Sequence, residues 1–268
     1  MYDRFDRLID YLRVSVTDRC DHRCVYCMSE SGVALKRHED ILSYEQIAAV
    51  VRAAVALGIR KVRLTGGEPL VRRNIVALVA GLAAIEGLEE LCMTTNGTRL
   101  AEHAVALKQA GLTRVNVSMD SLDPDKYREI TRGGDLAVVL RGIDAVLAAG
   151  LTPVKVNMVI FRDTTPEEVG AMQEFCVGKG LALQKIMQFS LYDRKDLSVR
   201  FQAERPPKCA ECNRLRLTAD GFLKPCLFSE HEVKVDFNDI QRSILEAVAL
   251  KPESGTSCRT RGMSQIGG

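Results

Sequence analysis

The chain of 268 residues has no run of about 18 apolar residues, which excludes a membrane-spanning helix of the usual kind. It has almost no excess charge. Its 37 basic side chains stand against 35 acidic ones, so nothing global points to nucleic acid or a membrane surface as a partner. The opening "MYDRFDRLIDYLRVSV" lacks a basic start followed by an apolar core, so no export signal is expected. No low-complexity tract appears. A further absence concerns cysteine: Cys20, Cys24 and Cys27 fall within eight residues at the spacing C-x3-C-x2-C, and no fourth follows until Cys92. Nine cysteines without an export signal point to a reducing, cytoplasmic setting, where clustered thiols bind metal or do redox chemistry rather than form disulfides.

One unit recurs through the first two-thirds of the chain. Apolar residues at three- and four-residue steps predict helices over Tyr44–Leu57, Arg73–Ile85, Leu100–Ala110, Leu136–Ala149 and Pro166–Lys179. Each is followed by a glycine, then Ile or Leu, then a short Val- and Leu-rich strand such as "KVRLT", "RVNVS" or "VKVNMVI". With "YLRVSVT" in front, six strands alternate with helices. That pattern predicts an α/β fold, a partial, open (β/α)6 TIM-like barrel, because eight units are not present. Chemistry in such folds gathers at the carboxyl ends of the strands. Those ends are polar here: Thr17-Asp18-Arg19, Thr65-Gly66-Gly67-Glu68, Thr94-Thr95-Asn96, Ser118-Met119-Asp120 and Asn157.

From about Ser190 the pattern changes, which divides the chain into a barrel over 1–190 and a C-terminal region over 191–268. Pro206-Pro207 reads as a linker. A second cysteine group follows, Cys209, Cys212 and Cys226 at C-x2-C-x13-C, and "RLRLTADGFLKPC" reads as a β-hairpin around Asp220-Gly221. A helix at "NDIQRSILEAVAL" precedes a polar tail. Cys92 and Cys176 lie in apolar contexts and are expected in the core, whereas Cys258 is expected as an idle thiol of the tail.

Structural zinc wants four closed ligands. At the first cysteine group the fourth would have to be His22 or His38. A ferredoxin cluster wants four cysteines. A [4Fe–4S] cluster on three thiolates leaves one iron open to a ligand that is not protein. The spacing of the first group, with Tyr26 before its last cysteine, resembles the radical S-adenosylmethionine (SAM) superfamily. The resemblance implies that SAM chelates the open iron and is cleaved to a 5′-deoxyadenosyl radical, with Tyr26, Gly67 of "TGGEP" and Ser118 near the cofactor.

The match extends along the chain. "LRVSVTDRCDHRCVYCM", "VRLTGGEPLVRR", "TTNG", "VNVSMDSLDP", "VKVNMV", "CNRLRLTADGFLKPCLFSE" and "GMSQIGG" together resemble the GTP 3′,8-cyclase family of molybdenum cofactor biosynthesis. That resemblance implies a second [4Fe–4S] cluster on Cys209, Cys212 and Cys226, whose open iron faces the guanine. It places GTP against Arg13, Arg63, Thr94, Lys155 and the Arg214-Leu215-Arg216 run. The Gly267-Gly268 tail would reach into the active site, with Arg259 and Arg261 bringing positive charge inward. It implies a flavodoxin or ferredoxin as electron donor and a cyclic pyranopterin synthase downstream, with no nucleic acid or membrane, and it leaves a homodimer open as the assembly. Two departures are visible. The segment before Cys209 is several dozen residues short of the family's, and "KIMQFS" stands where the family has FIE-x-M. Phe189 thus replaces a methionine expected near the cofactor, and Met187 replaces a glutamate. Two other readings stand beside the cyclase: a radical enzyme with an auxiliary cluster that acts on a peptide or another nucleotide, and a zinc-bearing module without catalysis.

Overall fold

The computed structural model describes residues 1–191 and 209–267. The Pro206-Pro207 linker and Gly268 lie outside them. The repeating unit folds in chain order as β1 (Tyr11–Ser15), α1 (Tyr44–Ala56), β2 (Lys61–Thr65), α2 (Ile75–Ala83), β3 (Glu90–Thr95), α3 (Leu100–Gln109), β4 (Arg114–Ser118), α4 (Pro124–Thr131), α5 (Leu136–Ala148), β5 (Val154–Ile160), α6 (Pro166–Gly178) and β6 (Ala182–Met187). The C-terminal region adds β7 (Arg214–Leu217), β8 (Phe222–Lys224), β9 (Val233–Lys234), α7 (Ile240–Ala249) and α8 (Met263–Ile266). The helices begin where side chains satisfy the first free amides. Ser43 and Gln46 form a capping box on α1, and Thr165 and Glu168 do so on α6 with Pro166 at its first turn. Asp123 followed by Pro124 starts α4 in the same way. The strand–helix alternation had not predicted that helix, which puts two helices between β4 and β5.

The six barrel strands pair in parallel and in chain order. β7 pairs in parallel with β1 on its other side, and β8 and β9 follow antiparallel. The hairpin read at Asp220-Gly221 is therefore the β7–β8 turn, but its first strand extends the barrel sheet, giving the order β6-β5-β4-β3-β2-β1-β7-β8-β9.

Strand residues alternate between two faces. Leu12 and Val14, Val62 and Leu64, and Leu215 and Leu217 pack outward into one apolar core. Tyr11 and Arg13, Arg63, and Arg214 and Arg216 face inward onto a cavity. A second, smaller apolar cluster of Leu191, Phe228, Cys258 and Ile266 packs against Phe189, Cys226, Leu227 and Met263. It joins the end of β6 to the C-terminal region through the Phe189–Phe228 ring pair, whose centroids lie 5.2 Å apart. Cys258, expected as an idle tail thiol, is fully buried in this cluster, and Cys92 and Cys176 are buried as expected. Among the described residues no helix is long and apolar enough to cross a membrane.

The helices pack tightly where α5 crosses the start of α3. A Cβ at Gly142 would lie 2.7 Å from the Gly97 carbonyl oxygen and 3.1 Å from the Leu100 Cβ, whereas one at Gly170 in α6 would meet open space. Helix propensity alone favours alanine over glycine by about 1 kcal/mol at either position. Gly170→Ala should accordingly stabilise by roughly 0.5–1 kcal/mol. Gly142→Ala should instead destabilise by roughly 1–3 kcal/mol through overpacking against backbone. Urea unfolding of both variants checks the opposite signs; a stabilised Gly142→Ala would refute the close packing.

Candidate active site

The cysteine loop leaves the carboxyl end of β1 and is sewn to the turn after β2. The Gly67 amide donates to the Thr17 carbonyl at 2.7 Å, and the Glu68 amide to the Arg19 carbonyl at 2.8 Å. A side chain on Gly67 would put its Cβ 2.2 Å from the Arg19 carbonyl oxygen, so only glycine lets the two backbones approach this closely. Beneath the turn the buried Glu68 carboxylate accepts from the Leu70 amide (2.9 Å), the Thr95 hydroxyl (2.7 Å) and the Asn96 amide (2.7 Å). Burial nevertheless pushes its pKa up to about 7.

Cys20, Cys24 and Cys27 line a cavity together with Tyr26, the Thr65–Glu68 turn, Thr94–Asn96, Ser118, Asp120, Asn157 and Phe189. All the strand ends singled out in the sequence reach it except Thr17-Asp18-Arg19, which serve as the loop's backbone anchor. Met263 and Ser264 of α8 complete the lining, so the tail does enter. The Tyr26 hydroxyl donates to Asp120 at 3.0 Å, and Asp120 also accepts from the Val159 amide at 2.7 Å. Burial pushes Asp120 up to about 6. It likewise pushes the Cys20 thiol to about 12 and Cys27 to about 11, and raises Cys24 as well.

The donor set favours a cluster over a single ion. Among the described residues no three His, Cys, Asp or Glu side chains converge as one metal ion requires. Among the described residues, both ring nitrogens of the buried His22, one of the two candidates for a fourth zinc ligand, lack a hydrogen-bond partner. An iron–sulfur cluster takes at most one thiolate per iron, so three thiols around one cavity suit a four-iron cluster with one iron left to another ligand.

A second cavity adjoins the first and shares Thr94, Asn157, Ile186 and Phe189 with it. Strand register builds it. Arg13 sits beside Arg63 of β2 and Arg216 of β7, so three arginines stand abreast on neighbouring strands. Arg114, Lys155 and Arg214 add three more cations, and the described lining holds no carboxylate. Burial, then Arg214, lowers Arg216 to about 10, and burial lowers Arg13 well below its ordinary value. Tyr11 stands among these groups and accepts from the Arg63 Nε at 2.5 Å. Burial works to raise its hydroxyl, but Arg13, Arg63 and Arg214 together hold it below the usual phenol value. Tyr11, Arg114, Asn116 and Gln184 escaped the sequence reading; the first two-residue step, Tyr11 to Arg13, was the signal that would have found Tyr11.

The second cysteine group gathers on a single turn. Lys251 donates to the Cys212 sulfur at 3.5 Å, Ser254 donates to that of Cys209 at 3.5 Å, and a Cβ on Gly255 would lie 2.7 Å from that of Cys226. Burial works to raise Cys212, yet Lys251, the Arg214 amide and the nearby arginines bring it below its ordinary value. The three thiols fit a second three-thiolate group.

A profile of the Radical SAM superfamily matches residues 14–176. The GTP 3′,8-cyclase of Petrotoga mobilis (strain DSM 10674 / SJ95) is 39% identical over 323 aligned positions, and that of Moorella thermoacetica (strain ATCC 39073 / JCM 9320) is 40% identical over 324. Each alignment covers 100% of this chain and 100% of the relative. The chain belongs to the GTP 3′,8-cyclase family of the radical SAM superfamily. It is thus a radical SAM enzyme, with SAM and an iron–sulfur cluster as cofactors. The fold is shared more widely. Streptococcus suis SuiB bound to S-adenosylmethionine superposes with a TM-score of 0.68 at 14% identity, over 91% of this chain and 64% of that one. Native anSMEcpe with bound AdoMet gives 0.65 at 15%, over 91% and 81%.

Against the cyclase family's expected site, Tyr26, Gly67, Ser118 and Phe189 line the first cavity, while Arg13, Arg63, Lys155, Arg214 and Arg216 line the second, and Thr94 lines both. Leu215 is buried in the main core on the opposite face of β7. Neither Arg259 nor Arg261 lines either cavity. The Arg261 guanidinium is held by Glu232 (2.6 and 3.0 Å) and Asp220 (2.9 and 3.1 Å), and the Arg259 amide donates to Glu230 at 2.7 Å. Gly267 does meet the site: its carbonyl accepts from Arg216 at 2.8 Å, and a Cβ there would lie 2.2 Å from the Thr65 hydroxyl oxygen.

Glu68 carries a pH dependence of stability. Its folded pKa of about 7 lies above the ordinary 4.5, so its contribution is fully present in acid and is lost as pH rises through about 7. The loss is on the order of 3 kcal/mol. Thermal melts of the cluster-free protein should fall by several degrees between pH 4.5 and pH 8, and Glu68→Gln should flatten that slope. An unchanged slope in the variant would remove Glu68 as its source.

Proposed function

We propose that the chain converts GTP to 3′,8-cyclo-7,8-dihydro-GTP, a first step of molybdenum cofactor biosynthesis. The observation that carries this reading is the junction of the two cavities. One is walled by three thiols, the other by six cations with no carboxylate among the described lining residues, and Thr94, Asn157, Ile186 and Phe189 form their common wall. A triphosphate matches the second, because arginine forks bind phosphate oxygens bidentately and lysine adds a point charge.

In this reading Cys20, Cys24 and Cys27 hold the first [4Fe–4S] cluster, and Cys209, Cys212 and Cys226 hold a second. When bound, the first cluster and SAM supply a 5′-deoxyadenosyl radical that takes hydrogen from C3′ of the ribose. Tyr26, Gly67 and Ser118 orient the cofactor, and Phe189 and Ile186 keep water from the wall between cofactor and nucleotide. Arg13, Arg63, Lys155, Arg214 and Arg216 seat the triphosphate, with Thr94 beside Arg63, so that the ribose faces the first cavity. The C3′ radical of the substrate then attacks C8 of its own guanine and closes the ring, and the nitrogen-centred radical left at N7 takes one electron and one proton to give the 7,8-dihydro product. Arg259 and Arg261 act through the tail they carry into the site rather than on the nucleotide directly. The barrel of residues 1–190 generates the radical, and residues 191–268 form the auxiliary region. A flavodoxin or ferredoxin supplies both electrons, one for the cleavage of SAM and one for the cyclised radical, and a cyclic pyranopterin synthase takes the product.

Anaerobically reconstituted protein given SAM, a reductant and GTP should form 5′-deoxyadenosine and a cyclised GTP isomer together, read by mass spectrometry. Cys24→Ala should abolish both products. Arg63→Ala should lower kcat/KM for GTP roughly 10- to 100-fold, the worth of one charge-assisted phosphate contact. Deoxyadenosine without any consumption of GTP would keep the radical chemistry and reject the substrate.

A further inference from the structure

Among the described residues of the C-terminal region two lysines are fully buried, and they are satisfied differently. Lys224, 0% exposed, donates to the Ser229 carbonyl and lies 3.7 Å from the Glu232 carboxylate. Lys251, 2% exposed, forms no ion pair with a carboxylate among the described residues. Its ammonium donates to the Arg214 carbonyl at 2.7 Å, the Pro225 carbonyl at 2.8 Å and the Cys212 sulfur at 3.5 Å. An ammonium has three protons to donate, and these three acceptors use them. Two are neutral carbonyls. The third is a cysteine sulfur, the one group in the shell able to carry a full negative charge.

A buried cation needs a compensating anion, or it pays for desolvation with nothing in return. Neutral carbonyls orient an ammonium but leave its charge uncompensated. The carbonyls that Lys251 selects also matter. Arg214 follows Cys212 by two residues and Pro225 precedes Cys226, so one side chain ties together the two segments that carry these cysteines. The first cysteine group differs: among the described residues, the cavity that holds its thiols is lined by Glu68 and Asp120 and by no lysine or arginine.

Resting on the reading that Cys209, Cys212 and Cys226 hold a second cluster, we propose that Lys251 is the counter-charge and positioning residue of that cluster. It donates to the Cys212 sulfur, sets the spacing between the Cys212 and Cys226 segments, and makes the second cluster easier to reduce than its own three thiolates would allow. The sign follows from charge. Each electron added makes a three-thiolate cluster more anionic, and a buried cation in contact with one of its sulfurs stabilises the reduced state more than the oxidised one.

The test uses the full chain with Cys20, Cys24 and Cys27 all changed to Ala, so that only the second group can hold iron. Iron content, far-UV circular dichroism and a dithionite titration followed by electron paramagnetic resonance are compared for this parent, for Lys251→Met and for Lys251→Arg. The expected result is a lower midpoint potential in the Met variant and a return toward the parent in the Arg variant, with folding unchanged. Loss of iron from the Met variant but not from the Arg variant supports the same role, because it isolates charge. Equal iron and equal potential in parent and Met variant would overturn the inference. So would loss of iron from both variants, since the shape of lysine rather than its charge would then be what matters. A parent without iron would reject the second cluster itself, and the inference with it.

Discussion

Tyr11 to Val14 of β1 hydrogen-bond in parallel register with Arg214 to Leu217 of β7, and the site is built outward from that ladder. The first cysteine group lies beyond the carboxyl end of β1. The second lies just before the amino end of β7, with Cys212 two residues ahead of Arg214. Because the two strands run the same way, the cysteine groups sit at opposite ends of the ladder, separated by a strand length of about 17 Å. The inward face between them carries the arginines. An antiparallel β7 would have put both groups at one end and left no room for a nucleotide between them. A parallel neighbour also requires a long return of the chain, and here the whole barrel intervenes before β7 arrives.

The price of that register is electrostatic. Arg216, Arg13 and Arg63 are lateral neighbours, and like charges side by side on a sheet repel. With charged ends at the strand spacing, each adjacent pair would cost on the order of 3 kcal/mol at an effective dielectric near 20. The contacts of two of them with neutral oxygens, Arg63 with the Tyr11 hydroxyl and Arg216 with the Gly267 carbonyl, position the guanidiniums without neutralising them. A polyanion relieves the repulsion across the whole row at once, which an isolated carboxylate would not. The same contacts explain why the tail and the arginine face belong together: Gly267 holds Arg216 from the side where a larger residue would strike Thr65.

Much of this was legible in the sequence, for identifiable reasons. Helix ends were readable because the glycine after each helix and Pro166 at the start of one act locally, and the first-cavity residues because strand ends in a parallel barrel share one rim. The parallel partner of "RLRL" was not readable, since a hairpin signal reports only the turn and says nothing of the strand's other edge. Arg261 shows the complementary limit. A motif places it near the site, but Asp220 and Glu232 come from the β7–β8 hairpin and the approach to β9, and only the fold brings them around its guanidinium. Phe189 fills its unusual position by packing on Phe228, so an aromatic pair links β6 to the C-terminal region where the family's pattern would place a methionine.

The alignments to the curated relatives run over 323 and 324 positions although this chain has 268 residues, so the relatives carry residues that it lacks. The second cysteine group nevertheless keeps its seat, because it is held from the amino-terminal side. The Arg7 guanidinium, fixed by Asp3 at 2.7 Å, donates to the carbonyls of Cys209 (2.8 Å), Pro252 (2.7 Å) and Glu253 (3.0 Å). Asn213 donates to Asp10 at 2.7 Å, and the Tyr11 amide donates to the Asn213 carbonyl at 3.3 Å. Hydrogen bonds with a charged partner are worth about 1.5–3 kcal/mol each. A cation that joins the Cys209 turn to the Lys251–Gly255 turn therefore ties together both halves of the thiol seat. Residues 3–11 and the β1–β7 ladder thus bind the second cysteine group to the barrel.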